Sequence, residues 1–542
     1  MNKIERQSRS TADDQTLPED IPSDEILSDE LLSDELAQEL SRIPTEVIEP
    51  GDAPAVVKAP LTPAEVRTIL MSLLLTMFLA ALDQTIVATA LPTIGRQFAD
   101  VNNLSWVITA YLLASTAVAP VFGTLSDIYG RRAMIITAMS LFMVGSILCA
   151  LAPNMIVLII ARALQGLGGG GILPIVQVVI SDVVSPRERG QYQAYFSGVW
   201  VAAGIGGPII GGLFAEHLHW SMIFWINIPL GVGSLALLLP KMKKLPVFHR
   251  RRKVDWLGGL LLMASAVVFM LVLTWGGTKF SWASPTIVAM IGAAAVMAFA
   301  FIWHAIHHDE PFLPLPLMSG SVVPFAMAAG GCAMGAMLGL TVHMPLYYEV
   351  VYGLTAGEAG VALIPIAAVS VGGAAFAGHM MTKAKHYKRV AIAGTGMSAL
   401  MGLLLALMTP LPLWALLTML GLFSIGLGTV FPVSLVSIQN AVPRPQIGTA
   451  TGAMNFFRAL MASFTVAAFT TILLMALGTE ISITGEHAGS THPIAASDMV
   501  TAFRYVFEAA AALLALSTTF LLLMEERPLA GPAKAKPSLV SE

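Results

Sequence analysis

The chain is strongly apolar and carries few charges. It has 542 residues, of which 56% are hydrophobic and 12% are charged, whereas soluble domains carry roughly 25% charged residues. So few charges cannot cover the surface of a soluble protein of this length. The composition therefore excludes a soluble enzyme or binding module, and most of the chain is expected to face lipid or other apolar segments.

The net charge of −4 hides an uneven distribution. Residues 1–60 hold 15 of the 34 acidic residues and 5 of the 30 basic ones, so the remainder is mildly basic. Residues 23–37 repeat the pentapeptides SDEIL, SDELL and SDELA, a period that matches neither a helical stripe nor a strand face. Residues 1–62 are predicted to form an acidic, disordered cytoplasmic tail. The alternative is a short helix that docks on a basic loop.

The rest of the chain is a series of apolar runs. Most are about 20 residues long, which is the length that an α-helix needs to cross the hydrocarbon core of a membrane. Strands of a membrane β-barrel would alternate apolar and polar residues, and these runs are apolar all round. The sequence predicts an all-α membrane protein with fourteen helices, at residues 67–91, 105–125, 133–152, 154–180, 190–214, 220–239, 255–276, 285–306, 322–348, 358–380, 388–409, 413–437, 449–476 and 500–524.

Lys and Arg residues predict the orientation, because basic loops stay in the cytoplasm. No signal peptide opens the chain, so the N-terminus is expected inside. The inner loops then contain most of the Lys and Arg residues, and the outer loops contain Arg96 and Lys279. This asymmetry supports an even helix count with both termini in the cytoplasm. Helices 7 and 8 have the weakest support, because the loop after helix 8 lacks Lys and Arg.

Two similar inner turns suggest an internal repeat. Residues 186–190 (PRERG) precede helix 5, and residues 443–448 (PRPQIG) precede helix 13. Paired halves around a site at the membrane midplane are a common transporter design. The sequence predicts a first six-helix bundle at residues 63–240 and a second at residues 311–525. A basic loop with an inserted hairpin (helices 7 and 8) lies between them at residues 241–310, and a cytoplasmic tail follows at residues 526–542.

Charged residues inside apolar runs are costly and therefore mark functional sites. Asp83 lies well inside helix 1. Desolvation favours its neutral form and a nearby cation favours its anion, so it is a candidate for proton or substrate coupling. Arg162 of helix 4 is the natural partner. The alternative is a permanent structural ion pair.

Three further polar residues lie in the second half. Arg458 of helix 13 is either a second buried cation or an interfacial residue that extends its charge towards water. Glu349 of helix 9 is either a second protonatable group or an interfacial residue. His343 is interpreted mainly as a packing residue.

Other clusters have simpler explanations. The glycine-rich helix 5 is expected to pack closely and to act as a hinge. His304, His307, His308, Asp309 and Glu310 are interpreted as an interfacial polar cluster, so no metal site is predicted. No cofactor is predicted, no nucleophile–base motif indicates an enzyme, and neither Cys149 nor Cys332 indicates a disulfide.

Five stretches of the sequence, in order over roughly residues 65–525, carry a resemblance to a known family. They are Leu82–Pro92 (LDQTIVATALP), Gly123–Arg132 (GTLSDIYGRR), Arg162–Gly168 (RALQGLG), Gly207–Gly212 (GPIIGG), and Phe224–Gly231 (FWINIPLG) followed by Asp255–Gly258 (DWLG). The chain resembles the major facilitator superfamily, and specifically its fourteen-helix drug:proton antiporter branch of the EmrB/QacA type.

The resemblance implies a role for each motif. Asp83 would respond to protons and cationic substrates, and Arg162 would tune it. A charge cluster at the inner face would hold the two halves together in the outward-open state; its residues would be Gly123, Asp127, Gly130, Arg131 and Arg132. The antiporter motif would shape a pivoting interface associated with export; its residues would be Gly207, Pro208, Gly211 and Gly212.

The sequence departs from the family pattern at four positions. Ile128 follows the Asp of the loop motif where a basic residue is usual, and Ala203 stands where Gly is frequent. Ser221 stands where Arg is common, and Glu349 stands where the branch usually has Gln. The last change bears on coupling and on the charge of the substrate.

The function implied is proton-coupled efflux of amphipathic, often cationic, drugs or other toxic small molecules. It would operate by alternating access across a plasma membrane, most simply the inner membrane of a bacterial cell. One alternative is the dedicated export of one metabolite or siderophore. Another is a non-transporting scaffold or sensor, against which the buried Asp83 and Arg162 argue. The expected partners are protons, lipid and the substrates, and the loop near 477–499 is a possible dock for a periplasmic adaptor protein.

Overall fold

The computed structural model of the protein describes residues 62–100, 103–242, 253–478 and 495–529. These residues contain fourteen helices that are long and apolar enough to cross a membrane, which confirms the predicted fold class. We number them α1 to α14: Pro63–Phe98, Trp106–Tyr129, Arg131–Ala150, Met155–Val183, Pro186–His217, Met222–Met242, Trp256–Trp275, Pro285–His307, Val323–Tyr352, Gly357–Lys383, Lys388–Met408, Leu413–Ala441, Ile447–Leu477 and Ala496–Leu523. The acidic tail and most of the 477–499 loop lie outside the described residues.

Several helices are longer than the apolar runs predict. α1 begins at a capping box formed by Thr62 and Glu65 and continues past Pro92 to Phe98. α5 begins at Pro186 and ends at His217. Hydropathy marks the part of a helix that suits lipid, whereas backbone hydrogen bonding continues into the polar turns beyond it. The predicted ends were therefore short.

Two helices are interrupted where the sequence predicted continuous ones. α6 breaks at Ile226, between Met222–Trp225 and Asn227–Met242. α10 breaks at Leu363, between the short helix Ala356–Ala362, which begins one residue before the span, and the helix Ile364–Lys383. Pro229 and Pro365 lie in the first turn of the longer segments, where proline fits because it has no N–H to donate to a preceding turn.

The helices form two six-helix bundles. α1 to α6 pack on one another, as do α9 to α14, and the bundles meet where α2 packs on α13 and α5 packs on α10. If each helix of the first bundle corresponds to the helix eight places later, the α2–α13 contact becomes the α10–α5 contact. The arrangement is therefore that of a repeat with twofold symmetry.

α7 and α8 form the inserted hairpin. They pack mainly on each other, and α7 also contacts α2 and α13. The Asp255 carboxylate caps α7 by accepting a hydrogen bond from the Gly258 N–H at 2.8 Å, and it also accepts one from the Phe312 N–H at 3.0 Å. This carboxylate fixes the start of the hairpin to the segment that leads into α9.

The two ends of the helical bundle differ in charge. We call the end that holds the α2–α3 turn the basic end, because Arg131, Arg187, Lys383 and Arg444 lie there. The other end, which holds the α1–α2 turn, is called the opposite end.

Candidate functional site

Asp83 lies at the centre of a buried polar cluster in the first bundle. Its side chain is 0% exposed and that of Arg162 is 1% exposed. The Arg162 Nη1 donates to Asp83 Oδ2 at 2.7 Å. The Asp83 Oδ1 accepts from Gln165 Nε2 at 2.7 Å and from Asn227 Nδ2 at 2.8 Å. The structure thus brings together the predicted pair and places α4 and α6 donors around it.

Arg162 has further partners besides Asp83. Its Nη1 also donates to Gln165 Oε1 at 2.7 Å, and its Nε donates to the Val107 carbonyl at 3.0 Å. The guanidinium carbon lies 4.3 Å from the centroid of the Tyr111 ring, a cation–π distance. The Asp83 carboxylate thus faces one cation and accepts three hydrogen bonds in this conformation. The pair is electrically neutral, and both carboxylate oxygens accept hydrogen bonds.

Small residues allow the helices that carry this cluster to approach closely. A side chain at Gly145 would collide with the backbone of Gln165, and one at Gly166 would collide with the backbone of Tyr111. The Ser146 hydroxyl, next to Gly145, accepts from Gln165 Nε2 at 2.8 Å. The close approach of α3 and α4 and the Ser146 hydroxyl therefore position the Gln165 side chain to reach Asp83.

Asp127 connects the two bundles at the basic end. Its carboxylate accepts from the Gly448 N–H at 3.0 Å, the Thr449 N–H at 2.7 Å and the Thr449 hydroxyl at 2.9 Å. These groups belong to the first turn of α13, where N–H groups lack helical partners and favour an anion. A side chain at Gly123 would collide with the Gly448 backbone, so α2 and α13 meet closely here.

Arg131 completes this contact and Arg132 does not. Arg131 donates to Asp127 at 2.7 Å and to Asp182 at 3.1 Å. Arg132 is exposed, and the described residues offer it no ion pair, so its place in the cluster stays a prediction. Side chains one residue apart on a helix point in different directions. Gly130, with φ of +89°, forms the turn that lets Arg131 fold back.

α5 and α10 close the basic end on the other side of the interface. A side chain at Gly378 of α10 would collide with the Gly190 backbone of α5. Further along α5 the contacts change, because no neighbouring heavy atom lies within 4 Å of where a side-chain carbon at Gly204 or Gly212 would sit, and Pro208 is exposed. The interface between bundles is therefore tight at the basic end, and this face of α5 is open towards the opposite end.

The residues of the antiporter motif lie on two different faces of α5. Side chains at Gly207 and Gly211 would collide with Thr85 and Thr89 of α1, so these glycines hold α5 against α1 as the close-packing prediction requires. Pro208 and Gly212 lie on the more open face. The hinge role stays a prediction.

Arg458 is buried in the second bundle, 8% exposed, which supports the interpretation as a buried cation. Its Nη2 donates to Ser434 Oγ at 2.7 Å and to the Phe431 carbonyl at 3.3 Å, and its guanidinium carbon lies 5.2 Å from the Phe431 ring centroid. Its Nε is buried without a hydrogen-bond partner. Among the described residues it forms no ion pair.

Glu349 and His343 differ in burial. Glu349 is exposed near the end of α9, which supports the interfacial interpretation. His343 is buried, with Nδ1 2.7 Å from the Gly339 carbonyl and Nε2 2.9 Å from Thr470 Oγ1. Both nitrogens have partners, which supports the packing interpretation.

The histidine cluster includes a residue that the sequence did not connect with it. Asp255 lies 2.8 Å from His304 Nε2, and the possible ligand atoms of Asp255, His304 and His308 lie within 4.8 Å of one another. Both Asp255 oxygens already accept backbone hydrogen bonds. Burial acts to raise the pKa of Asp255, but these bonds and His304 outweigh it and hold the pKa below its ordinary value. The geometry fits a structural cap of the hairpin.

Comparisons with known proteins agree with this architecture. Residues 73–466 match the family described as the Major Facilitator Superfamily. The chain belongs to the Major Facilitator Superfamily. It is a multi-pass membrane transporter rather than an enzyme, and transporters of this family generally need no cofactor.

Two relatives illustrate the range of similar proteins. The chain is 37% identical over 400 residues to "Efflux pump FUS6" of Gibberella fujikuroi, covering 72% of each chain. It is 34% identical over 430 residues to an uncharacterized MFS-type transporter of Mycobacterium tuberculosis, covering 78% of this chain and 62% of the relative. Since the relatives come from fungi and from a bacterium, the bacterial inner membrane stays a prediction.

Solved structures show the same fold. The human organic anion transporter MFSD10 has a TM-score of 0.58 at 15% identity, covering 85% of this chain and 100% of that one. The proton:xylose symporter XylE has a TM-score of 0.55 at 13% identity, covering 85% and 95%. At these identities the likeness concerns the fold alone.

The sequence identified Asp83 and Asp127 but did not identify all the groups that bind them. Gln165 and Asn227 belong to the family motifs, but their approach to Asp83 depends on how α4 and α6 pack. Asp182 and the first turn of α13 were not connected with Asp127. A polar residue within an apolar run was the available signal for Gln165 and Asn227; no comparable signal marked the backbone N–H groups of α13.

Proposed function

We propose that this transporter exports amphipathic small molecules in exchange for protons, as a member of the fourteen-helix drug:proton antiporter branch. The observation that carries the proposal is the buried Asp83 carboxylate, held by donors from α4 and α6. A carboxylate inside a membrane bundle is a proton site when its surroundings can change. The names of several relatives as efflux pumps support the direction of transport.

The geometry around Asp83 supports a mechanism for the coupling. In this conformation Arg162, Gln165 and Asn227 stabilise the anion. Because these donors come from α4 and α6, a rearrangement within the first bundle would remove some of them and favour the protonated acid. Proton binding and release at Asp83 would thus bias the two conformations of an alternating-access cycle.

The contacts at the basic end bear on which side of the transporter is closed in this conformation. We place this end in the cytoplasm with both termini, in a plasma membrane, because Lys and Arg residues concentrate there. Asp127 and the Gly190–Gly378 contact then close the cytoplasmic side, and the structure corresponds to an outward-facing state. Opening that side requires Asp127 to release α13.

Everted membrane vesicles test the proposal. An acid-inside pH gradient should drive accumulation of an amphipathic dye in vesicles that contain the protein, and an uncoupler should abolish it. Vesicles without the protein are the control. Accumulation that is unaffected by the uncoupler would contradict proton coupling, and a panel of dyes and metabolites separates a multidrug exporter from a dedicated one.

A further inference from the structure

Arg458 is a permanent charge in an apolar setting. A guanidinium does not lose its proton in proteins, and a buried charge needs an opposite charge or a full set of hydrogen bonds. Arg458 has two neutral oxygen acceptors, and its Nε has none. Its charge is therefore uncompensated in this conformation.

Among the described residues of the second bundle, no buried carboxylate can supply the missing charge. The acidic residues in the described part of residues 323–523 are all exposed: Glu349, Glu358, Asp498 and Glu508. Glu349 lies 19 residues beyond Gly330, the α9 residue that contacts Arg458, which is about 28 Å along a helix. None of these described carboxylates can therefore supply a counter-charge to Arg458.

The buried acids of the first bundle are already engaged. Asp83 is paired with Arg162, and Asp127 is paired with Arg131 and bound to the first turn of α13. A cationic substrate would find neither of these anions unpaired, whereas an anionic substrate would find Arg458.

The position of Arg458 suits a substrate that enters between the bundles. It lies eleven residues from the start of α13 at Ile447, about 16 Å along the helix and thus well inside the hydrocarbon core. Asn455, one turn earlier, donates to Gln177 of the first bundle at 2.7 Å. Arg458 is therefore next to the interface where such transporters bind their substrates.

We propose that Arg458 binds the carboxylate of an amphipathic organic anion, which makes organic acids a substrate class of this exporter. This inference rests on the proposed efflux function and names its substrate. The Nε has no acceptor in this conformation, and Nε with Nη2 forms the edge of a guanidinium that a carboxylate binds through two hydrogen bonds. Such binding would replace the bonds of Nη2 to Ser434 and to the Phe431 carbonyl. The Phe431 ring beside it suits an aromatic or other apolar body. The substrate charge then differs from the cationic preference that the resemblance implies.

Two dyes on one ring system provide matched probes. Fluorescein carries a carboxylate and is an anion, whereas rhodamine 6G carries an ester and is a cation. Their binding to the full chain in lipid nanodiscs is measured by fluorescence anisotropy. Arg458→Gln should weaken fluorescein binding by about tenfold or more, the loss of a charge-assisted bond, and should leave rhodamine 6G binding unchanged or tighter.

A second pair of variants keeps Arg458 in place. A side-chain carbon at Gly330 would lie 3.1 Å from Arg458 Nε, so Gly330→Asp puts an internal carboxylate where the substrate's would bind. Gly330→Asn has the same size without the charge. Gly330→Asp should lose fluorescein binding and Gly330→Asn should retain it, even if Arg458→Gln fails to fold.

The outcomes separate this inference from the proposed function. The inference would be overturned if Arg458→Gln lost the binding of both dyes equally or bound fluorescein as the wild type does. It would also be overturned if the wild type did not bind fluorescein. Displacement of fluorescein by chloride but not by benzoate, which indicates an inorganic counter-ion, would overturn it as well. Gradient-driven efflux of fluorescein that is the same in the wild type and in Arg458→Gln would overturn this inference alone. Arg458-dependent binding without gradient-driven efflux would overturn the proposed function alone.

Discussion

The two bundles repeat one architecture but hold their buried charges differently. In the first, Arg162 is paired with Asp83 at 2.7 Å and each group has further hydrogen bonds. In the second, Arg458 is also buried but has two neutral acceptors and no carboxylate among the described residues. The two proposals assign different tasks to the bundles: proton binding to Asp83 of the first, and the charge that binds the substrate to Arg458 of the second.

The largest expected effect comes from removing each arginine in turn. Arg162→Gln leaves Asp83 buried without its cation, which should cost roughly 3–5 kcal/mol of stability. Arg458→Gln removes an uncompensated charge and should leave stability unchanged or higher in the absence of substrate. Thermal unfolding in detergent measures both. Equal destabilisation by the two variants would contradict the comparison.

Asp127 and Arg131 test the contact between the bundles. Asp127→Ala removes three hydrogen bonds to α13 and one of the two ion-pair partners of Arg131, so the closed basic end should lose roughly 1.5–3 kcal/mol, or about tenfold or more in population. Spin labels on cysteines at the exposed positions Tyr129 and Arg444 would report this as longer distances in electron–electron resonance. Arg132→Ala is the matched control, because Arg132 is exposed. A shift in the control as large as in Asp127→Ala would argue against a specific lock.

The smallest expected effect concerns the hairpin. Asp255→Ala removes the cap of α7, which should cost about 1 kcal/mol. The pKa of Asp255 is held below its ordinary value, so its contribution is present above that value and is lost as the pH falls through the lowered pKa. The loss of thermal stability should therefore not diminish between pH 8 and pH 5. A loss that disappears at pH 5 would contradict the assignment.

The sequence predicted the helix count and the main charged residues, but not their surroundings. Run length and the placement of Lys and Arg suffice for fourteen spans, because the bilayer imposes both. The Asp83–Arg162 pair was predictable because an unpaired charge is costly in lipid. The Arg458 environment was not predictable, since its burial depends on the side of α13 that faces α9 and α12. The Asp127 contact depends on backbone N–H groups, which every helix start possesses.

The measurement that tests the account most directly compares two modes of transport in proteoliposomes that contain the wild type or Asp83→Asn. Substrate exchange at equal pH needs binding and alternating access, whereas efflux driven by a pH gradient also needs the proton site. Asn retains an oxygen that accepts from Arg162, so the cluster can persist. The account predicts that Asp83→Asn keeps exchange and loses gradient-driven efflux. Gradient-driven efflux at the wild-type rate would contradict it.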